Sequence, residues 1–184
     1  MSQNFIGAPI TRAEDFRFLT GQGKYLDDIK LHGMLHAAIL RSSHGHARIK
    51  SIDTARAISL EGVAAVFTYD DMASIAKSIP VRVFELPGLN QYLQVPLAEG
   101  KVRYVGEPVA IVVATNRYIA EDALEIIDVD YEPLPAVTDL KEALKDQVVL
   151  HEENGTNLAG SHELNTGDVD EAFRIAEYTR KEEF

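Results

Sequence analysis

Three hydrophobic periods follow one another between residues 101 and 135, KVRYVGEPVAIVVATNRYIAEDALEIIDVDYEPLP. Residues 109–114 form an almost unbroken apolar run, as expected for a strand buried on both faces. Gly106, Glu107 and Pro108 turn the chain into that run. Thr115 and Asn116 then offer a helix N-cap. Ile119, Ala120, Ala123, Ile126 and Ile127 fall on one helical face. Ile127, Val129 and Tyr131 next alternate with Asp128 and Asp130, so a second strand has one face on the core and one in water. Pro133 and Pro135 end it. The stretch predicts a β-α-β unit, which is a scaffold and names no chemistry.

The same pattern of strand, short helix and strand occurs earlier with unrelated sequence. Residues 34–41 and 48–52 read as strands. Asp53 or Thr54 caps a helix through Ile58, Gly62 stops it, and residues 63–68 make a compact apolar strand. Thr68 and Asp71 then sit in a capping-box arrangement. Before these elements, residues 4–23 read as an extended arm with apolar Phe5, Ile6, Phe16, Phe18 and Leu19, and residues 25–29 as a short strand. After them, residues 78–100 are divided by Pro80, Pro87-Gly88 and Pro96 and read as a long surface excursion. Asp139 and Asp168 each cap a short helix, the first with Leu140, Ala143 and Leu144 inward, the second with Val169, Ala172, Phe173 and Ala176 as its apolar face. From Tyr178 to Phe184 the pattern alternates like a strand that stops midway, as if cut from something longer. Together these describe an α+β fold with a mixed sheet and short crossover helices.

Composition narrows the chemistry. The 184 residues bound one domain with an appendage, and 46% hydrophobic residues supply a sizeable core. No apolar stretch approaches the roughly 20 residues that span a bilayer, and residues 1–10 lack a signal-peptide pattern, which reads as a soluble cytoplasmic protein. With no cysteine there is no disulfide, thiolate metal site, iron–sulfur ligation or cysteine nucleophile in this chain. A net charge of −11 disfavours nucleic-acid phosphates; it serves solubility or meets a partner with a basic face.

Individual motifs yield little. Gly21-Gln22-Gly23 lacks the third glycine, the preceding strand and the following helix of a dinucleotide site. Asp27-Asp28 suits turn capping better than a hard cation. His44 and His46 have metal-like spacing but no third ligand nearby, so hydrogen-bonded structural histidines are expected. Glu107 is either a catalytic or gating carboxylate or, preferably, a solvated turn residue. Arg41 either anchors an anion or, preferably, forms a salt bridge with one of the many carboxylates. No nucleophile elbow or phosphate loop is present.

Four stretches in register carry a resemblance. They are GAPITRAED with RFLTG (residues 7–15 and 17–21), YLDDI with GMLH (25–29 and 33–36), LRSSHGHARI (40–49), and VRYVGEPVA continuing to DYEPLP (102–110 and 130–135). The chain resembles the N-terminal part of the large, molybdopterin-binding subunit of the xanthine dehydrogenase/aldehyde oxidase family, particularly its carbon monoxide dehydrogenase large-chain branch. Ser43 and Gly45 depart from that pattern, where Pro and Ala are expected. The resemblance implies an arm (residues 1–19), an α/β hammerhead domain (20–137), and a linker leading into the start of the molybdopterin-binding region (138–184). It implies molybdenum–molybdopterin in the full-length subunit, outside this segment, and FAD and 2Fe–2S clusters in partner subunits. The residues that hold the molybdenum cofactor and the catalytic base would lie beyond this stretch, so no catalytic, cofactor-binding or metal-binding residue is assigned here. Arg12, Arg41, Gly106, Glu107 and Pro108 match motif positions and are expected to support the fold or face neighbouring subunits. The implied function is the non-catalytic N-terminal segment of a molybdenum-dependent hydroxylase or dehydrogenase, inactive alone. The alternative is a stand-alone assembly or binding module.

Overall fold

The computed structural model describes residues 6–82 and 86–182. Phe5 of the arm, residues 83–85 of the excursion and the last two positions of the expected terminal strand, Glu183 and Phe184, lie outside them.

Among the described residues, six strands form two three-stranded sheets. They are β1 (His36–Arg41), β2 (Ala47–Asp53), β3 (Val63–Phe67), β4 (Lys101–Val102), β5 (Pro108–Ala114) and β6 (Asp128–Pro133). The first sheet has the order β1-β5-β3 and the second β4-β2-β6. Every pairing is antiparallel, so the expected single mixed sheet is two antiparallel ones. The α+β class itself holds.

The physical reason lies in the two crossovers. Helix α2 (Ala55–Ile58) carries the chain from β2 in the second sheet to β3 in the first. Helix α4 (Arg117–Glu125) carries it back, from β5 in the first sheet to β6 in the second. A β-α-β unit whose strands join different sheets imposes no parallel pairing.

Local chemistry sets these elements. The Asn116 side chain accepts the Ile119 amide at 2.9 Å and starts α4. Ala120 and Ala123 on its inner face are buried and pack with Ala57 of α2 against Ala110, Val112 and Ala114 of β5. Val109, on the opposite face of β5, joins a smaller core with Ala47, Ala98 and Val102, which lies against the second sheet. Strand β5 thus supplies both cores, which is why its sequence is continuously apolar. Its burial is uneven: Ile111 and Val113 are half-buried. The Asp53 carboxylate accepts the Ala55 amide, so Asp53 rather than Thr54 supplies the side-chain cap of α2. Asp71 accepts the Thr68 amide at 2.7 Å and opens α3 (Tyr69–Met72). Gly62 has φ +90°, the left-handed conformation needed after α2.

Elsewhere the pattern misled. The arm is not wholly extended, because α1 (Asp15–Leu19) forms within it. Residues 25–29 are not a strand: Asp28 accepts the Tyr25 amide at 2.9 Å and folds Leu26–Asp28 into a 3-10 turn. Asp27 pairs with Arg117 at 2.8 Å, which ties that turn to α4. Asp139 caps α5 (Leu140–Ala143) by accepting the Lys141 and Glu142 amides, but Leu140 and Leu144 are exposed rather than inward. Asp168 likewise caps α6 (Val169–Ile175), whose Val169 and Phe173 are also exposed. Residues 178–182 form no strand, and no described strand pairs with them.

Candidate functional site

The best-defined polar site is built where two turns meet at the end of β1 and the start of β5. The Ser42 amide donates to the Glu107 carbonyl at 2.9 Å, and the Gly106 amide donates to the Ser42 carbonyl at 2.8 Å. Arg41 donates from its guanidinium to the Gly106 carbonyl at 2.9 Å. Its partner is therefore backbone, in place of the expected carboxylate. Gly106 has φ +93°, which a side chain would oppose. Pro108 pairs with Arg41 across a register shift, and its carbonyl accepts the Ala98 amide at 2.8 Å. Proline suits the position because it opens the strand and needs no donor.

Glu107 is buried, not solvated. Its carboxylate turns back and accepts the Arg103 amide. Burial pushes its pKa above the usual carboxylate range, against the opposing effects of the Arg103 amide, the Arg103 charge and the Tyr104 amide. The glycine and proline on either side concealed this, since such flanks usually mark exposed turns. Four of the five sequence-marked residues, Arg41, Gly106, Glu107 and Pro108, thus come together in one joint. Arg12 stands apart: it is exposed on the arm, 3.5 Å from Asp15.

The histidine turn packs beside this joint. His46 is buried, and its Nδ1 lies 2.6 Å from the Pro135 carbonyl, so Nδ1 carries the proton. Its Nε2 is buried with no partner among the described residues. The His44 ring lies 4.7 Å from that of Tyr131 and its backbone bonds with the Ser42 hydroxyl. Both histidines therefore hold the turn, as structural residues do. Among the described residues no group of three or more His, Cys, Asp or Glu could hold a metal ion.

Behind the joint lies a cavity of about 580 Å³, bounded by Tyr92, Gln94, Arg103, Tyr104, Glu107 and His151 among others. Of its lining, the sequence marks only the excursion at 78–100 and Glu107, because the far wall comes from residues 150–153. Arg103 organises this space. Its backbone binds Glu107, its Nε donates to the Leu150 carbonyl at 3.2 Å, and its Nη2 lies 3.4 Å from Glu153. Tyr104 donates to Gln94 at 2.8 Å. The polar groups are thus largely committed to one another.

The a/b hammerhead domain of aldehyde oxidase and xanthine dehydrogenase matches residues 20–135. The carbon monoxide dehydrogenase large chain of Afipia carboxidovorans is 44% identical over 158 residues, which are 85% of this chain and 19% of that one. The nicotine 6-hydroxylase large subunit of Paenarthrobacter nicotinovorans is 39% identical over 97% of this chain and 22% of its own length. Among solved structures, quinoline 2-oxidoreductase from Pseudomonas putida 86 superposes with a TM-score of 0.72 at 46% identity, covering 82% of this chain and 19% of that one. The chain spans about a fifth of the length of each of these relatives.

The molybdenum–pterin group implied by this likeness does not fit the cavity. A phosphate-bearing pterin is an anion, and the cavity presents Glu99, Glu107 and Glu153. Its one guanidinium is engaged with Leu150 and Glu153. Matched sequence, two antiparallel sheets laced by crossover helices and superposition on solved large subunits agree: the chain belongs to the aldehyde oxidase and xanthine dehydrogenase a/b hammerhead family.

Proposed function

We propose that this chain is the non-catalytic N-terminal segment of the large subunit of a molybdenum-dependent hydroxylase or dehydrogenase of the xanthine, aldehyde or carbon monoxide type. The observation that carries this reading is the close match over the hammerhead combined with coverage of only about a fifth of each large subunit. The site's chemistry supports it, because the buried carboxylate and the buried His46 are spent on backbone groups. In this reading Arg41, Gly106, Glu107 and Pro108 hold the joint between β1 and β5, and Arg12 faces a neighbour. The arm is residues 1–19, the hammerhead 20–137, and residues 138–184 lead towards the molybdopterin-binding region.

The partners would be the remainder of the large subunit and, with it, FAD-binding and 2Fe–2S subunits in the cytoplasm. Surface chemistry supports a large neighbour. Ile39 of β1, Ile111 of β5 and Phe67 of β3 are in register across the first sheet, with Ile39 and Phe67 39% and 43% exposed. No helix among the described residues is long and apolar enough to cross a membrane.

Metal analysis of the purified chain tests the proposal, with dehydrogenase activity measured in parallel. The expected result is no bound molybdenum and no turnover. Molybdenum recovered in stoichiometric amount with the 184-residue chain would overturn it.

A further inference from the structure

Residues 146–157 contain only one turn of 3-10 helix, Glu152–Asn154, yet they are closely tied. Asn157 closes the segment on itself. Its side chain donates to the Ala143 and Val148 carbonyls at 3.0 and 2.7 Å and accepts the Leu150 amide at 2.9 Å. Asp146 accepts both the Asn157 amide and the Thr156 hydroxyl. The segment is therefore a preformed loop.

One side of this loop is fastened to the hammerhead by contacts of several kinds. Lys101 lies 3.1 Å and Arg48 3.8 Å from Glu152. Arg103 reaches the Leu150 carbonyl and Glu153. The Asn154 side chain donates to the Gln91 carbonyl at 3.0 Å, and Tyr92 donates to the Thr156 carbonyl at 3.1 Å. His151 sits at the centre, its ring meeting that of Tyr92 edge-on at 5.2 Å. Leu150, His151 and Glu153 form one wall of the cavity.

We propose that residues 150–156 are an acid-released strap over this cavity: neutral His151 seated on Tyr92 holds the strap down, and protonation of its imidazole beside Arg103 and Lys101 frees it and opens the wall. The inference stands independently of the proposed place in a molybdenum enzyme.

The charges facing His151 set the direction. Burial lowers its pKa most, Arg103 lowers it further, Glu153 at 3.3 Å from Nδ1 opposes, and Lys101 lowers it again. Glu99, Tyr104 and Glu107 border the same cavity. A histidine whose folded pKa lies below its unfolded value of 6.5 contributes stability that is complete above that value. This contribution is lost as pH falls through the folded pKa. Glu152 and Glu153 are held below their ordinary value of 4.5, by Lys101 first for Glu152 and by a backbone amide first for Glu153. Their contributions fail only at lower pH, so His151 acts before them.

Hydrogen exchange followed by mass spectrometry tests this, with rates corrected for the intrinsic effect of pH and β5 as internal reference. Between neutral pH and about pH 5, opening of residues 150–156 should rise roughly tenfold relative to β5, the scale of one lost polar contact. In His151→Phe, which keeps the ring contact and removes the titrating nitrogen, strap opening should stay flat over the same range. In Arg103→Met, which removes the charge beside the imidazole as well as two ties, opening at neutral pH should rise somewhat and the further rise on acidification should shrink, while β5 stays protected; an acid-induced rise as large as the parent's overturns the proposal. Flat strap protection in the unaltered chain overturns the proposal, as does loss of protection in parallel with β5. Acid opening that persists in His151→Phe overturns it too.

Discussion

Replacing Glu107 in two ways separates what its shape does from what its charge does. Glu107→Ala leaves the Arg103 and Tyr104 amides without their acceptor. Two orphaned donors cost about 2–4 kcal/mol together. For a chain of this size that lowers Tm by roughly 4–15 °C. Glu107→Gln keeps an oxygen in place and removes the buried charge, so at neutral pH it should lie within about 1 kcal/mol of the parent. The pH dependence carries the sharper test. Burial raises the folded pKa above the unfolded value of 4.5, so in the window between the two the folded state binds the extra proton. Stability from this group is therefore full below 4.5 and declines as pH rises through the folded pKa. Thermal denaturation followed by circular dichroism across that range should show this decline in the parent, and the Gln variant should lack it. An Ala variant as stable as the Gln variant, or a Gln variant with the parental pH slope, would refute the assignment of a buried, amide-bound carboxylate.

Substitutions at three further positions probe the scaffold. Asn116→Ala removes the cap of α4 and should cost about 1 kcal/mol in chemical denaturation, with Asn116→Asp close to the parent. Gly62→Ala must adopt φ +90° and bring its Cβ to 2.7 Å from the Ile119 side-chain tip, so a loss of about 1–2 kcal/mol is expected in the same assay. Arg117→Gln breaks an exposed pair with Asp27, so global stability should change by less than about 1 kcal/mol. Limited proteolysis should nevertheless cut around the Leu26–Asp28 turn faster in this variant, and added salt should produce the same effect in the parent.

The sequence was most informative where one local rule acted alone. Asn116, Asp139 and Asp168 cap the helices they precede, because a short oxygen-bearing side chain before an apolar face has few other uses. The helical face of Ala120 and Ala123 is buried as its period demands. Leu140, Leu144, Val169 and Phe173 show the limit of that rule, since amphipathic spacing reports a face that can be buried and not whether anything lies against it. Sheet membership was equally hidden. The alternation at Val129 and Tyr131 fits a strand in either sheet, and only the pairing of β6 with β2 decides between them. Glu107 was mistaken for a water-facing turn residue because nothing in its neighbours reveals that the carboxylate folds back on amides four residues earlier. The cavity was illegible for the same reason: Arg103 and Leu150 are 47 positions apart.

In the first sheet β1 and β3 are both edges, and each pairs only with β5 between them. During synthesis, therefore, neither can find its neighbour when it emerges. Ile39 must wait for Ile111, its partner in the finished ladder, roughly 70 positions later. At translation rates of about 5–20 residues per second that is some 4–14 s of growth with two apolar edges open. A nascent chain arrested before residue 108 would have the outer strands of this sheet and no centre, and ribosome-bound chaperones would meet it in that state.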